Sequence, residues 1–137
     1  MDGEIVVKVV HVDDSIAIQR SFGRLLASVA GIEVVGHAED VVGAIAVIDC
    51  MLPDAVVLDL DLREGGRGMD VLRHVVHKHP AIKVVVLSVF TWGAMRDVYL
   101  AAGASAYFDK SAEFLDARDW IAALVPASGR GDARPAD

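Results

Sequence analysis

The segment PDAVVLDLDL, residues 53–62, tells more about the architecture than any other part of the chain. It contains an apolar run over residues 55–60 that is interrupted only by Asp59. A short run that is apolar on both faces predicts a buried strand of the kind found in parallel sheets. Because a carboxylate is costly to place beside such a strand, Asp59 is expected to have a functional role.

Similar apolar strands alternate with amphipathic helices on both sides of this segment. The predicted strands span residues 5–12, 32–36, 55–60, 82–88 and 105–108. The predicted helices span residues 15–30, 69–77, 92–102 and 112–124, and a further helix capped by Asp40 ends at Met51; Gly31 and Gly103 are predicted to stop the helices before them. Helical crossovers between buried strands predict an open, doubly wound α/β parallel sheet with right-handed connections.

Length and composition restrict the class of protein. With 137 residues and 54% hydrophobic residues, the chain has room for one domain, predicted over residues 1–125, and a disordered tail over 126–137. No apolar run approaches the roughly 18 residues of a membrane span, so we expect a soluble, cytoplasmic protein without membrane contact. A net charge of -7 argues against direct nucleic-acid binding. The single cysteine, Cys50, is predicted to be a buried, unreactive thiol.

Polar side chains fall where four of the predicted strands end. They are Asp13 and Asp14 after the first strand, Asp59 and Asp61 at the third, Ser88 at the fourth and Lys110 after the fifth. In open parallel sheets the ligand site lies beyond the carboxyl ends of the strands, at the point where strand order reverses. We therefore expect these side chains to gather in one crevice.

The gathered residues suggest phosphoryl chemistry. Carboxylates held close together repel one another unless a cation binds, and a set of two or three suits Mg²⁺, which keeps several waters. Asp59 could then attack phosphorus, while the Lys110 ammonium neutralises the transferring oxygens and the Ser88 hydroxyl donates a hydrogen bond to one of them. Alone, Asp13 and Asp14 could equally be a turn or helix-cap pair, and neither Ser88 nor Tyr107 is informative by itself.

Four motifs in order resemble those of a known family. They are VVHVDDS (residues 9–15), PDAVVLDLDL (53–62), VVVLS (84–88) and GASAYFDKS (103–111). Together they resemble the receiver domain of bacterial two-component response regulators, and the resemblance covers residues 5–124. It implies a flavodoxin-like (β/α)5 fold whose five strands lie in the order 2-1-3-4-5.

The resemblance also implies a role for each matching residue. Asp59 corresponds to the phosphoacceptor, Asp13 and Asp14 to the acidic pair with Asp14 as the direct metal ligand, Asp61 to a backbone carbonyl ligand, Ser88 to the switch hydroxyl, Tyr107 to the switch aromatic and Lys110 to the lysine of the site. The expected cofactor is Mg²⁺.

The implied activity is that of a signalling switch rather than an enzyme with a separate substrate. A sensor histidine kinase or histidine phosphotransfer protein, docking near Ile16, Arg20 and Gly23, would phosphorylate Asp59. A protein effector would read the change at the face formed by the fourth helix, fifth strand and fifth helix. We expect a stand-alone receiver that is a monomer or weak dimer and catalyses only its own phosphotransfer and autodephosphorylation.

The chain departs from the family pattern at three places. Prolines that usually follow the phosphoacceptor and the lysine are replaced by Arg63 and Ser111, and the loop over residues 63–68 is one residue longer. The residue after the switch hydroxyl is Val89 rather than Ala or Gly. Because a valine could shield the phosphoryl group from water, we expect slow autodephosphorylation.

Three alternatives compete with the stand-alone switch. The Asp59-Leu60-Asp61 order is similar to the nucleophile motif of haloacid-dehalogenase-type phosphatases, although that family carries it on the first strand and needs further motifs. A structural module with a dead site is disfavoured by the full set of side chains. The segment EVVGHAED, residues 33–40, resembles receivers attached to DNA-binding domains of transcriptional regulators.

Histidines and tryptophans outside the site have less specific interpretations. His74, His77 and His79 are close enough to suggest a metal, but a solvated helix face is the favoured interpretation. His11 is expected to be a strand residue with a hydrogen-bond partner. Whether Trp92 and Trp120 pack in the core or face a partner is left open.

Overall fold

Strands and helices alternate along the whole described part of the chain. The computed structural model describes residues 6–60, 62, 66–89 and 93–126. The strands are β1 (Val7–Val12), β2 (Ile32–Ala38), β3 (Ala55–Leu58), β4 (Lys83–Ser88) and β5 (Ala106–Asp109). The helices are α1 (Ile16–Ala27), α2 (Val41–Met51), α3 (Gly68–Lys78), α4 (Gly93–Ala101) and α5 (Phe114–Ala122).

The strands form one parallel sheet in the order β2-β1-β3-β4-β5, as predicted. Strand order reverses between β1 and β3, which are neighbours although α1, β2 and α2 separate them in sequence. A crevice therefore opens beyond the carboxyl ends of these two central strands.

Helices cover both faces of the sheet because successive strand residues point to opposite sides. Val10 and Val12 of β1 join an apolar cluster under α2, α3 and α4. Val7 and Val9 join a second cluster under α1 and α5. This two-sided burial explains why β3 is apolar at every position.

Local signals set most helix ends. Ser15 caps α1 by accepting a hydrogen bond from the Ile18 N–H at 3.2 Å, and Asp40 caps α2 through Gly43 at 2.7 Å, as predicted for Asp40. Gly103 follows α4 with φ +117°, which confirms its role as a stop. The role predicted for Gly31 was wrong, because α1 already ends at Ala27 and Gly31, with φ 91°, lies in the turn before β2.

The structure also bears on the predictions for Cys50, the two tryptophans and the C-terminal tail. Cys50 is exposed, because α2 turns Ala44 and Ile48 toward the sheet and Cys50 away from it. Trp120 is partly buried against the cluster under α1 and α5. Trp92 and residues 127–137 of the predicted tail lie outside the described residues. Every helix in the described part of the chain is too short or too polar to cross a lipid bilayer.

Candidate functional site

Four strand ends bring the predicted site residues together. Asp13 follows β1, Asp59 follows β3, Ser88 ends β4 and Lys110 follows β5. The strand predicted over residues 55–60 ends two residues earlier, at Leu58, yet the Asp59 N–H still donates to the Val12 carbonyl at 2.9 Å. This backbone bond ties the end of β3 to the end of β1 and fixes Asp59 beside Asp13.

Lys110 joins two of the carboxylates. Its Nζ lies 2.7 Å from Asp13 Oδ2 and 3.2 Å from Asp59 Oδ2. Burial lowers the pKa of Lys110, but the two carboxylates outweigh burial and the pKa is raised overall. The Lys110 N–H donates to the Ser88 carbonyl at 2.7 Å, so the ammonium is held over the site by the main chain as well.

Three carboxylates form a cluster that can hold a cation. One oxygen from each of Asp13, Asp14 and Asp59 lies within 4.8 Å of the others; Asp13 and Asp59 are buried and Asp14 is exposed. Burial, together with the charge of Asp13, raises the pKa of Asp59 to about 6 although Lys110 acts in the opposite direction. A cluster of oxygen ligands that one lysine does not fully neutralise fits a hard divalent cation.

The two buried carboxylates are oriented by main-chain donors. Asp59 Oδ1 accepts from the Leu60 N–H at 2.8 Å, which leaves Oδ2 facing Lys110. Asp13 Oδ1 accepts from the Ser15 N–H at 2.9 Å. Each carboxylate therefore presents one oxygen to the crevice in a fixed direction.

Two residues that support the site were missed in the sequence. Gln19 Nε2 donates to the Asp13 carbonyl at 2.6 Å and to the Ala38 carbonyl at 3.3 Å, which ties α1 to the ends of β1 and β2. A β-carbon on Gly68 would lie 2.4 Å from the Asp59 carbonyl oxygen, so only glycine fits at this position. The glycines of residues 63–68 were a visible signal for the second, whereas nothing in the sequence indicated Gln19.

His11 lies beneath the site and differs from its prediction. Within the described part of the chain neither of its ring nitrogens has a hydrogen-bond partner, and Nε2 is 4.0 Å from Asp13 Oδ2. Burial, reinforced by His37 and Lys110, lowers the pKa of His11 to about 3. The expected hydrogen-bond partner was therefore wrong: the ring is a neutral core group that packs edge-on against Phe22 at 5.6 Å.

Ser88 and Tyr107 lie together on the side of the site toward α4. Both are buried, and the Tyr107 ring packs 6.3 Å from that of Tyr99. Burial raises the pKa of Tyr107, against the effect of a side-chain hydrogen bond with Ser88. Arg96 of α4 donates to the Tyr107 carbonyl at 3.0 Å, so α4, β5 and Ser88 are directly connected.

Two loop features bear on the departures from the family pattern. Ser111 donates through both its N–H and its hydroxyl to Asp109 Oδ1, each at 2.8 Å, and so fixes the turn after Lys110 without a proline. Asp61, predicted to give a carbonyl to the metal, lies outside the described residues, as do residues 63–65.

A second group of polar side chains contradicts the interpretation of a solvated histidine face. His74 and His79 are half-buried, and each places Nε2 within 2.8 Å of Asp49 Oδ1. Only His77 of the three is exposed. The prediction failed because the partner, Asp49, comes from α2 and no local pattern links it to α3.

Comparisons with known proteins point to one family. A family model described as response regulator receiver domain matches residues 9–121. Response regulator GacA of Pseudomonas syringae is 32% identical over 107 residues, which are 78% of this chain and 50% of that protein. The DNA-binding transcriptional activator DevR/DosR of Mycobacterium tuberculosis is 36% identical over 106 residues, 77% of this chain and 48% of that protein.

The solved structures agree with the sequence relatives. A two-component response regulator of the LuxR family from Aurantimonas sp. SI85-9A1 superposes with a TM-score of 0.81 at 28% identity, covering 91% of this chain and 87% of the other. The chain spans about half the length of the curated relatives it matches.

Proposed function

Because this chain belongs to the receiver-domain family of two-component response regulators, we propose that it is a signalling switch that accepts a phosphoryl group on Asp59. The observation that supports this most is the convergence of Lys110 on both Asp13 and Asp59. An ammonium beside a carboxylate oxygen is the arrangement needed to neutralise the oxygens of a phosphoryl group arriving there.

The cation-binding cluster fits Mg²⁺ as the cofactor. Asp13, Asp14 and Asp59 would hold it, and the family resemblance adds the main-chain carbonyl of Asp61. Bound there, Mg²⁺ would neutralise charge that develops on the phosphoryl oxygens. The residues of the chain supply the rest: an oriented nucleophile and a fixed ammonium.

The transfer step follows from the orientation of Asp59. Its ionised Oδ2 forms a bond to phosphorus while the P–N bond of a donor phosphohistidine breaks; the imidazole nitrogen leaves with the electron pair of that bond and takes a proton from water. Oδ1 keeps the Leu60 N–H as its partner, so the acceptor is held in one orientation during the transfer. The donor is a sensor histidine kinase or a histidine phosphotransfer protein, and exposed Ile16 of α1 suits such docking.

The output passes through Ser88 and Tyr107. The phosphoryl group offers a stronger acceptor than a phenol, so the Ser88 hydroxyl turns from Tyr107 toward it. Tyr107, which is already buried, then moves into the space that Ser88 vacates. Its carbonyl bond to Arg96 transmits the adjustment to the face formed by α4, β5 and α5, where a protein effector binds.

The phosphatase alternative is not favoured. Haloacid-dehalogenase-type enzymes carry the nucleophile on the first strand, whereas Asp59 follows β3, the third strand in sequence. The chemistry of the chain is then limited to its own phosphotransfer and autodephosphorylation. Stand-alone action, residence in the cytoplasm and a monomeric or weakly dimeric state stay predictions, as does the lack of direct nucleic-acid binding.

Phosphorylation by acetyl phosphate tests the proposal. The chain is incubated with Mg²⁺ and the intact mass is measured for wild type, Asp59→Asn and Asp116→Asn, the last changing an exposed carboxylate of α5. We expect one stable phosphate on wild type and on Asp116→Asn, and none on Asp59→Asn. Rapid hydrolysis of phosphoesters would favour the phosphatase, and an unmodified wild-type chain would refute the switch.

A further inference from the structure

The strongest unexplained feature is the side-chain cluster between the ends of α2 and α3. Asp49 lies in the last turn of α2, His74 in α3, and His79 caps the end of α3. His74 Nε2 is 2.8 Å and His79 Nε2 is 2.7 Å from the same oxygen, Asp49 Oδ1. These two imidazoles and one carboxylate therefore bring three potential metal-ligating atoms within 4.8 Å of one another.

We infer that Asp49, His74 and His79 form a binding site for a divalent transition-metal ion of the Zn²⁺ class, separate from the carboxylate cluster around Asp59. Two imidazole nitrogens and one carboxylate oxygen are a ligand set that Zn²⁺ prefers, and three protein ligands plus water complete its tetrahedron. The cluster at Asp13, Asp14 and Asp59 offers only oxygens and suits a harder ion.

Two of the three distances between ligand atoms fit this ion after a small adjustment. The three ligand atoms lie within 4.8 Å of one another. With bonds of about 2.0 Å, the ligand atoms of a tetrahedral Zn²⁺ lie about 3.3 Å apart. The two hydrogen bonds would therefore lengthen by about 0.5 Å as the ion takes the place of the shared hydrogens, which side-chain rotation can accommodate. All three residues are partly exposed, so water can reach the remaining position.

Local electrostatics also favour a cation here. Asp49 places a carboxylate directly beside the two imidazoles. Asp49 and His79 lie at the C-terminal ends of two helices, whose dipoles attract positive charge. Lys78, with Nζ 3.9 Å from Asp49 Oδ2, opposes a cation, but its side chain is exposed and can turn away into solvent.

The site is remote from the phosphoacceptor. Helices in a parallel β/α fold run antiparallel to the strands, so their C-terminal ends lie at the opposite end of the sheet from Asp59. Binding there would cross-link α2 to α3 without competing for the carboxylates of the other site. The inference therefore does not depend on the proposed phosphorylation.

Calorimetric titration with ZnCl₂ tests the inference. The full chain is titrated at about pH 7.5, where imidazole is largely neutral, with Mg²⁺ in excess. We expect one Zn²⁺ per chain to bind to wild type, and His74→Ala or His79→Ala to lower the affinity at least about tenfold. Matched controls are His77→Ala, which changes the exposed histidine of the same helix, and Cys50→Ser; both are expected to bind as wild type does.

Nuclear magnetic resonance of the wild-type histidine rings gives a measure that needs no variant. Zn²⁺ is expected to shift the ring-nitrogen signals of His74 and His79 and to leave that of His77 unchanged. The inference is overturned if folded wild type takes up no Zn²⁺, if binding survives loss of His74 and His79, or if it is lost instead with His77→Ala or Cys50→Ser.

Discussion

Asp59 is a residue whose local environment opposes its charge. It is buried, it faces the carboxylate of Asp13, and Lys110, the cation paired with it among the described residues, is shared with that carboxylate. These conditions raise its pKa to about 6, so at neutral pH the folded chain holds an anion that its surroundings disfavour. A carboxylate in such surroundings lowers the stability of the folded chain and is typical of reactive groups at functional sites.

This environment predicts that Asp59→Asn stabilises the chain when Mg²⁺ is absent. The folded pKa of about 6 exceeds the unfolded value of 3.8, so the protonated carboxyl favours folding below pH 3.8 and that contribution is lost as pH rises through 6. Removing the charge should raise the free energy of unfolding at pH 8 by up to about 3 kcal/mol. Urea denaturation followed by circular dichroism measures the change.

The pH dependence is the control for this prediction. Near pH 4 the difference between Asp59→Asn and wild type should shrink toward zero, and Asp116→Asn on the exposed side of α5 should show no comparable gain at either pH. Equal stabilisation at pH 4 and pH 8 would contradict the assignment of the gain to the carboxylate charge.

The side chain of Val89 is expected to slow hydrolysis of the phosphorylated site. Its side chain is 59% exposed directly after Ser88, where it can cover the approach to the phosphoryl group. Val89→Ala should speed hydrolysis of the acyl phosphate about fivefold, which corresponds to about 1 kcal/mol of activation free energy. Loss of phosphate is followed by intact mass, with Val98→Ala on α4 as the exposed-valine control. An unchanged hydrolysis rate in Val89→Ala would remove the shielding argument.

Most of the site residues could be predicted from the sequence because they follow apolar strands, and the ends of such strands can be located in the sequence. Asp13, Asp59 and Lys110 each follow an apolar strand, and parallel strands bring such positions to one edge. Gln19 was not predictable, since its role rests on two carbonyls that only the folded sheet brings within reach.

At the scale of elements, α3 connects two distant parts of the molecule. Its first residue, Gly68, donates its N–H to the Leu60 carbonyl at 2.7 Å, next to Asp59. Its other end carries His74 and His79, which meet Asp49 of α2. A change at either end of α3 therefore affects how this helix sits against the sheet.

Gly68→Ala should displace the start of α3. The added β-carbon would lie 2.4 Å from the Asp59 carbonyl oxygen, and the atoms it meets all belong to the main chain of Asp59 and Leu60, which cannot easily retreat. We expect a loss of about 2 kcal/mol or more in the free energy of unfolding, measured with urea, together with slower phosphorylation.

Gly93→Ala is the matched control, because Gly93 is also the first residue of its helix and a β-carbon there meets nothing within 4 Å. This change should leave stability unchanged or raise it by up to about 1 kcal/mol. Equal effects of the two substitutions would mean that contact with Asp59 is not the reason for glycine at position 68.

Element type was easier to predict than element partnership. The five strands and five helices follow from apolar runs, caps and stop signals within each segment. The pairing of α2 with α3 through Asp49 joins residues 25 and 30 positions apart, and the exposed side of Cys50 depends on how α2 is rotated against the sheet. Neither is encoded in a local pattern.

For the whole molecule, the sheet separates two apolar clusters, and His11 contributes a titratable ring to the buried layer. Its pKa of about 3 lies well below the usual 6.5 because the charged form would be cut off from water. The His11 ring is therefore neutral in the folded chain at all pH values well above 3.

Protonation of His11 is expected to contribute to unfolding of the chain in acid. Because its folded pKa is depressed, stability is at its full value above pH 6.5 and is lost as pH falls toward 3, when the unfolded chain takes up the proton first. The loss reaches about 4 to 5 kcal/mol at the lower limit. In His11→Leu, the free energy of unfolding should vary less between pH 6.5 and pH 4, as measured by urea denaturation; an unaltered slope would contradict this origin.

The position of β5 at the margin of the sheet has a mechanical consequence. Its four residues pair only with β4, whereas β1 and β3 are bonded along both sides. Shifting β5 thus strains a single row of main-chain bonds, while shifting either central strand would strain two. The sheet is therefore stiffest at β1 and β3, where phosphorus would be received, and most compliant at β5. A small structural change at Asp59 is then expected to be taken up by movement of β5, at a surface that another protein can contact.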